Sequence, residues 1–195
     1  MKYDVSKKLT KGAARVLDAH SKAMFELLAS IPFEDITVGK ICELSGYPRA
    51  TFYNYFDDKY DLLDFCMQAL SKYVNIDDYS GLPIGAMIEI YLGKLYDILA
   101  EHERAVVGIF AHNMRDGYFI ASTKNHMIAE IRKMLLRSGL PKSCPVPREI
   151  MAEHYANIIL LVCGKRYDNG NRLARYEALA YVKYLIEGPA GGGRF

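Results

Sequence analysis

Several features that mark common protein classes are scarce or missing in this sequence. Its 195 residues carry a formal charge of only +2, which is too small to indicate nucleic-acid binding by itself. The four cysteines, Cys42, Cys66, Cys144 and Cys163, have neither paired nor metal-ligand spacing. The charged start lacks the apolar core of a signal peptide, and no later run is long and apolar enough to span a membrane. We therefore expect a globular protein of the reducing cytoplasm.

Motifs typical of enzymes are also missing. The histidines at 102, 112, 126 and 154 lack the spacing of metal ligands on one helix, and no Gly-rich phosphate loop or nucleophile elbow occurs. Cys144 lies in a proline-rich loop, but no neighbouring cation or partner cysteine would activate its thiol for redox sensing. The sequence predicts neither an enzyme nor a bound metal or cofactor, and an all-helical enzyme is kept only as a distant alternative.

Apolar residues recur at helical spacing along most of the chain, and no run alternates well enough to predict a strand. We therefore predict an all-α protein, long enough for one small and one larger domain. The predicted N-terminal domain covers residues 1–74, and a linker rich in Asp, Ser, Gly and Pro covers 75–85. A larger helical domain follows over 86–188, and a flexible glycine-rich tail is predicted over 189–195.

The stretch from Thr37 to Lys59 predicts two short helices joined by a tight turn. The Thr37 hydroxyl can cap the first helix. Gly46 tolerates the left-handed conformation that ends a helix and turns the chain. Pro48 suits the entry to the second helix, where a missing N–H has no cost. This pattern is typical of a helix-turn-helix.

The second of these helices, predicted over Arg49–Tyr55, is suited to reading DNA. Phe52 and Phe56 are its buried anchors, while its other side chains have little to bury them. A two-turn helix with an outward guanidinium, hydroxyls and an amide fits the major groove. There Arg49 can pair with a guanine edge and Asn54 with an adenine edge.

Lys59 gives a separate physical indication of an anion. A cation in the first turn of a helix opposes the helix dipole, at a cost of roughly a few tenths of a kcal/mol. Beside the free N–H groups of that turn, however, the ammonium makes a site for a DNA phosphate. The predicted DNA-contacting residues are Thr37, Tyr47, Arg49, Ala50, Thr51, Tyr53, Asn54, Tyr55 and Lys59.

One set of residues matches a known family in register: Ile41, Ser45-Gly46, Thr51-Phe52-Tyr53, Tyr55-Phe56, Lys59 and Leu62. These residues resemble the DNA-binding region of the TetR family of bacterial transcriptional regulators. The chain departs from the family at Tyr47, where a small aliphatic residue is usual, and at Pro48, which replaces a capping Ser or Thr. The resemblance implies that Thr51 and Tyr53 lie at phosphates or base edges and that Tyr55 lies at a phosphate.

The last two predicted helices, over 147–166 and 172–187, carry broad apolar faces. A reader with a two-turn recognition helix gains affinity by pairing two half-sites, so a two-fold dimer on a palindrome is expected. The resemblance implies that these two helices form the dimer contact, although ordinary core packing is the alternative for their apolar residues. The predicted interface residues are Met151, Tyr155, Ile158, Val162, Ala178, Tyr181, Val182 and Leu185.

The middle helices are rich in Tyr, Phe, Met and His. Such stripes belong more often to a core than to a ligand site. The resemblance implies a small-molecule pocket here, and an effector in it would shift the separation of the two DNA readers. The predicted pocket residues are Tyr91, Tyr96, Phe110, Met114, Tyr118 and His126. The absence of Trp gives no preference for a cationic effector, and the effector is not identified.

The sequence thus predicts a ligand-responsive repressor that binds double-stranded DNA as a homodimer at a palindromic operator. The alternative is a helix-turn-helix protein that acts mainly through a protein partner and binds DNA weakly. This alternative stays open because residues 1–60 hold nine Lys and Arg against eight Asp and Glu, so the predicted DNA-binding part is not strongly basic.

Overall fold

A computed structural model of the chain describes residues 10–74, 79, 81–113, 117–138, 145–167 and 173–188. Every regular element within these residues is helical, which confirms the predicted all-α fold class. The described residues form α1 Lys11–Leu28, α2 Val38–Ser45, α3 Arg49–Tyr53, α4 Lys59–Tyr73, α5 Ile84–Glu101, α6 Glu103–Asn113, α7 Tyr118–Arg137, α8 Arg148–Tyr167 and α9 Arg175–Glu187. A short 3-10 turn, Phe33–Asp35, lies between α1 and α2.

Parts of the predicted domain organisation lie outside the described residues. These parts are residues 1–9 of the N-terminal domain, residues 75–78 and 80 of the linker, and the tail at 189–195. Cys144 also lies outside the described residues. The end of the predicted linker is helical, because α5 already begins at Ile84.

Local side-chain chemistry sets the ends of the N-terminal helices. The Thr10 hydroxyl accepts a hydrogen bond from the Ala13 N–H at 3.1 Å and caps α1. In the same way, the Thr37 hydroxyl accepts from the Lys40 N–H at 3.3 Å and caps α2. The cap at Thr37 agrees with the sequence prediction. α3 is shorter than predicted, since its last helical residue is Tyr53.

The chain forms two compact units that are not consecutive in sequence. The first contains the described residues up to Leu70 together with Arg104–Ser122. The second contains the described residues of Ser71–Glu103 and those from Thr123 onward. The N-terminal domain predicted from the sequence ended at residue 74, whereas the first unit also contains α6 from Arg104 onward and the start of α7.

The first unit has a continuous apolar core. α1 packs against α2, and α2 packs against α3. The buried core residues are Leu17, Ala23, Met24, Leu28, Phe33, Ile36, Ile41, Cys42, Phe52, Phe56, Leu62, Leu63, Cys66, Met67 and Phe119. Since each large apolar side chain contributes about 1.5–3 kcal/mol when fully buried, this core holds α2 and α3 on α1 and α4.

Two polar side chains bind the α6–α7 part of the first unit to the segment that follows α1. The Asn113 amide, at the end of α6, donates to the Leu28 carbonyl at 2.7 Å, and its oxygen accepts from the Phe33 N–H at 2.7 Å. The Glu34 carboxylate accepts from the Tyr118 N–H at 2.9 Å, in the first turn of α7. These contacts fix the 3-10 turn from both sides, because each satisfies backbone groups that a helix end leaves unpaired.

In the second unit, α9 packs against both α5 and α8. The Arg166 guanidinium lies 5.0 Å from the centre of the Tyr96 ring and donates to the Leu173 carbonyl at 3.1 Å. It also lies 3.4 Å from the Glu103 carboxylate. An arginine with these neighbours ties the start of α6, the end of α8 and α5 together within this unit.

Candidate nucleic-acid interface

The turn between α2 and α3 has the geometry that a helix-turn-helix needs. Gly46 adopts the left-handed conformation, with φ of 74°, and its N–H donates to the Cys42 carbonyl at 3.1 Å. A residue without a Cβ adopts this conformation without strain. Pro48 is extended (φ −67°, ψ 155°), so the chain enters α3 with the proline ring in place of a side-chain cap.

Aromatic packing holds the inner side of α3. Phe52 and Phe56 are fully buried, and their ring centres lie 5.4 Å apart. Tyr47, in the turn, is half-buried and stacks on His20 of α1 at 5.7 Å. Tyr47, which stands where the family usually has a small aliphatic residue, thus packs against the buried His20.

His20 is the polar group beneath this aromatic cluster. It is fully buried, and its Nδ1 lies 2.8 Å from the Val16 carbonyl. Its Nε2 is buried without a hydrogen-bond partner. Burial lowers the pKa of this imidazole, against the opposing effect of the Val16 carbonyl. Nothing in the sequence around His20 indicates this electrostatic state, because it depends on packing against α3.

The outer side of α3 carries most of the predicted DNA contacts. Arg49, Ala50, Tyr53 and Asn54 are exposed, while Thr51 and Tyr55 are half-buried beside them. Thr37 is also exposed, although its hydroxyl already accepts the capping hydrogen bond. The structure therefore brings a guanidinium, a phenol, an amide and a hydroxyl together on one short helix, and all four can bond to DNA.

Lys59 has a structural role that the sequence did not indicate. Its ammonium donates to the Phe33 and Glu34 carbonyls, both at 2.9 Å, and lies 4.6 Å from the Phe33 ring centre. Burial lowers the pKa of this group, while the nearby Glu34 and Asp35 carboxylates act in the opposite direction. Because two of its three N–H donors are used inside the chain, the predicted phosphate site at Lys59 has at most one donor left.

Arg49 lies against α2 rather than straight out from α3. A Cβ placed on Gly39, in the first turn of α2, would be 2.7 Å from Nη2 of Arg49. Within the described part of the chain, no carboxylate pairs with this guanidinium. The sequence predicted a DNA contact for Arg49 but gave no sign that its guanidinium lies beside Gly39, since this depends on the packing of two helices.

The predicted dimer residues fall into two groups. The first group is buried within the chain, in the second unit: Tyr155, Ile158, Val162, Ala178 and Val182. Met151 is half-buried, and Tyr181 and Leu185 are exposed. The exposed apolar residues on these two helices include Ile150, Leu161, Tyr181 and Leu185, each with 44–59% of its surface open.

The predicted pocket residues are divided between the two units. Tyr118 belongs to the first unit, where it stacks on Phe33 at 5.4 Å and meets Tyr60 at 4.6 Å, and Phe110 belongs to the same unit. These two residues therefore belong to the first unit rather than to the larger helical domain predicted over 86–188, and their part in a pocket stays a prediction. Met114 lies outside the described residues.

The other predicted pocket residues belong to the second unit. His126 is hydrogen-bonded to Ser71. Tyr96 is fully buried, its hydroxyl donates to the Leu173 carbonyl at 3.4 Å, and burial raises its pKa to about 12. Tyr91 is buried too, and burial, reinforced by the Glu130 carboxylate, raises the pKa of its phenol. Both phenols therefore stay protonated at neutral pH and can act as hydrogen-bond donors.

The described residues form neither a membrane-spanning helix nor a cluster of metal ligands. No helix formed by them has the length and apolar character needed to cross a membrane. Their His, Cys, Asp and Glu side chains do not gather into groups of three or more that could hold a metal ion.

Comparison with known proteins agrees with this geometry. Residues 22–65 match the family described as bacterial regulatory proteins, tetR family. No curated protein sequence matches the chain. The solved structure of a TetR-family transcriptional regulator from Syntrophomonas wolfei str. Goettingen is similar, with a TM-score of 0.68 and 16% identity over 90% of this chain and 97% of that one.

Two further structures share the fold. A TetR transcriptional regulator from Streptococcus agalactiae 2603V has a TM-score of 0.62 and 15% identity, covering 89% of this chain and 94% of that one. The fatty acid degradation regulator FadR from Bacillus halodurans has a TM-score of 0.57 and 12% identity, covering 94% and 98%. The family match covers residues 22–65, from within α1 to within α4, and agrees with the resemblance seen in the sequence. This segment therefore has the DNA-binding helix-turn-helix of the tetR family, and the chain as a whole shares the fold of the solved regulators.

Proposed function

We propose that the chain is a ligand-responsive repressor that binds a palindromic operator as a homodimer, in the cytoplasm. The observation that carries the proposal is the two-sided construction of α3. Phe52 and Phe56 anchor its inner side, while Arg49, Tyr53 and Asn54 are exposed on the outer side. A helix held in this way can lie in the major groove without losing its own packing.

Dimerisation follows from the small size of the reading helix and from the surface of the second unit. α3 has only five residues, so one copy makes few base contacts, and two copies on two half-sites double them. Ile150 and Leu161 are eleven residues apart on α8, which places them on one side of that helix. Tyr181 and Leu185 are four apart on α9 and share a side in the same way. We assign the dimer contact to these four exposed residues.

DNA binding is tested by selecting duplexes from a random pool and measuring fluorescence anisotropy at several salt concentrations. The wild type should bind with an affinity that falls as salt rises, because phosphate contacts release counterions. Tyr53→Ala and Asn54→Ala should each lower affinity, with Asn54→Ala losing about 1–3 kcal/mol of discrimination if it reads a base edge. Arg132→Ala, which removes a cation from the exposed surface of α7, is the matched control and should bind as the wild type does.

The dimer is tested by light scattering at micromolar concentration. A monomer mass for the wild type would refute the dimer. If the wild type is dimeric, Leu161→Lys combined with Leu185→Lys should give monomers, since each places a charge in an apolar contact. Leu136→Lys, at another exposed leucine on α7, is the control and should stay dimeric.

The response to a ligand is assigned to the second unit, where Tyr91 is a buried donor. Thermal unfolding should shift upward with an apolar effector that binds this unit, and the same compound should release DNA. A panel of aromatic and long-chain apolar compounds is the probe. Tyr91→Phe should bind DNA normally but lose part of the shift, because it removes only the hydroxyl. A panel without any shift or release counts against a ligand-responsive repressor.

A second function is supported by one observation, the near balance of charges in residues 1–60. A reader with so little net charge has weak non-specific affinity, and a protein partner could supply the rest. The anisotropy titration decides between the two functions. Salt-sensitive binding by the chain alone supports the repressor, whereas its absence at micromolar concentration supports a co-regulator.

A further inference from the structure

Gly39 is the second residue of α2, and the place where its side chain would be is already occupied. A Cβ built there would lie 2.7 Å from Nη2 and 3.7 Å from Cζ of Arg49. A separation below 3.0 Å is a clash, so any larger residue at position 39 must displace the guanidinium. The obstacle is the end of a flexible side chain, so Arg49 can move without a change in the backbone.

The electrostatics of Cys42 agree with a guanidinium that lies near this side of α2. Cys42 lies three residues after Gly39 and therefore on the same side of the helix. Arg49 is the charged group that acts on the Cys42 thiol, where it opposes the rise in pKa that burial causes. The guanidinium is exposed, and within the described residues it has no carboxylate partner. The guanidinium thus lies close against Gly39 and has no carboxylate among the described residues that would compete with an anion.

We propose that Gly39 is a positioning residue for DNA binding, which holds the Arg49 guanidinium along α2 so that it meets a backbone phosphate. In a helix-turn-helix the first helix crosses the DNA backbone, while the second enters the groove. A guanidinium that lies on the first helix is therefore at the backbone, and it pairs well with phosphate oxygens. This inference rests on the proposed DNA-binding function, and it replaces the guanine contact expected for Arg49 from the sequence.

The test is a double-mutant cycle on DNA affinity with Gly39→Ala, Arg49→Ala and both together. Arg49→Ala should weaken binding about eightfold at 100 mM salt, equally on a selected and a random duplex, and should lower the salt slope by about 0.9. Gly39→Ala should weaken binding about threefold or more in the presence of Arg49, and less than about 1.5-fold in its absence. Thermal unfolding gives the structural readout, and Gly39→Ala should unfold at the same or a higher temperature because alanine favours a helix.

Gly12→Ala is the matched control. Gly12 is the second residue of α1, as Gly39 is of α2, but a Cβ there meets nothing within 4 Å. It makes the same chemical change in a helix of the same unit, so DNA affinity should stay at the wild-type value.

The possible failures are distinguishable. If the wild type binds no DNA, or if Arg49→Ala binds as the wild type does, the proposed DNA-binding role of Arg49 fails and takes this inference with it. If Arg49→Ala weakens binding but Gly39→Ala does not, or weakens it equally with and without Arg49, only the positioning role is overturned. A loss confined to the selected duplex, with an unchanged salt slope, would show a base contact and overturn the phosphate assignment.

Discussion

Replacing Asn113 by alanine should destabilise the DNA-binding unit strongly, although this residue lies far from α2 and α3 in the sequence. Its amide donates to the Leu28 and Ile31 carbonyls, and its oxygen accepts from the Phe33 N–H. Asn113 is one of the two buried polar residues of the chain's described part, at 6% exposure. All three bonds are lost together in Asn113→Ala.

The size of the effect follows from what the substitution leaves behind. Each buried hydrogen bond contributes about 1 kcal/mol net, and a buried group left without a partner costs about 1–3 kcal/mol. The Ile31 contact, at 3.4 Å, is long and counts for little. The Phe33 N–H and the Leu28 carbonyl both lose short bonds of 2.7 Å. We therefore expect a loss of about 2–4 kcal/mol in the free energy of unfolding.

The assay is urea unfolding followed by circular dichroism, with Asn113→Asp as a companion variant. Aspartate has the same shape and can still accept from the Phe33 N–H, but its second oxygen faces the Leu28 carbonyl. This contact disfavours the charged form and raises the pKa of the carboxyl in the folded state, so the stability it supplies is present at low pH and lost as pH rises. Relative to the wild type at each pH, Asn113→Asp should therefore be weakest at neutral pH and recover on acidification. Unfolding free energies within about 0.5 kcal/mol of the wild type for Asn113→Ala would refute the reasoning.

Three further outcomes are expected. Because burial lowers the pKa of His20, the unfolded chain takes up a proton on this side chain more readily than the folded chain does. The free energy of unfolding should therefore fall below about pH 6.5, by up to about 2 kcal/mol at pH 5. In urea melts this dependence on pH should be smaller for His20→Phe. Gly46→Ala should lower stability by about 1 kcal/mol in the same melts, purely through its φ of 74°, since a Cβ there meets no neighbour within 4 Å; an unchanged midpoint would contradict this. Cys66 and Cys163 should resist a thiol reagent at pH 8 until urea unfolds the chain, because burial raises the pKa of both thiols to about 12. Rapid labelling of either thiol in the native protein would contradict this and show that the core around it opens.

The sequence predicted the DNA reader well because its signals are local. The cap at Thr37, the left-handed Gly46 and the anchors Phe52 and Phe56 act within a few residues of where they stand. Such signals depend on backbone sterics and on helical spacing, which a single sequence displays directly.

Contacts between distant residues were beyond sequence reasoning. Asn113 bonds to a carbonyl 85 residues away, and Lys59 to one 26 residues away. The residues around the donor or the acceptor in the sequence do not indicate that the two groups are hydrogen-bonded. The phosphate contact of Lys59 was therefore predicted from its place in the first turn of a helix. In the structure, hydrogen bonds to two carbonyls of the 3-10 turn determine where its ammonium lies.

The inner and outer sides of α8 were also hard to distinguish. Tyr155 and Val162 are buried, while Ile150 and Leu161 are exposed, although all four are large and apolar. A helix that is apolar on more than one side has no single hydrophobic face. Its sequence pattern therefore predicts that the helix is buried but does not show which side packs against a neighbouring helix. Only the packing of α9 and α5 around it separates the core from the free surface.

The contacts of Asn113 and Glu34 also bear on how hybrid regulators can be assembled. Since Arg104–Ser122 belongs to the same compact unit as α1–α3, a graft of the first 74 residues onto another regulator carries only part of that unit. The recipient must then supply an amide opposite the Phe33 N–H and a helix start opposite Glu34, or the transplanted reader loses support on that side. Exchange of DNA specificity between such proteins should therefore succeed more often when Arg104–Ser122 is transferred together with the N-terminal helices than when only the first 74 residues are transferred.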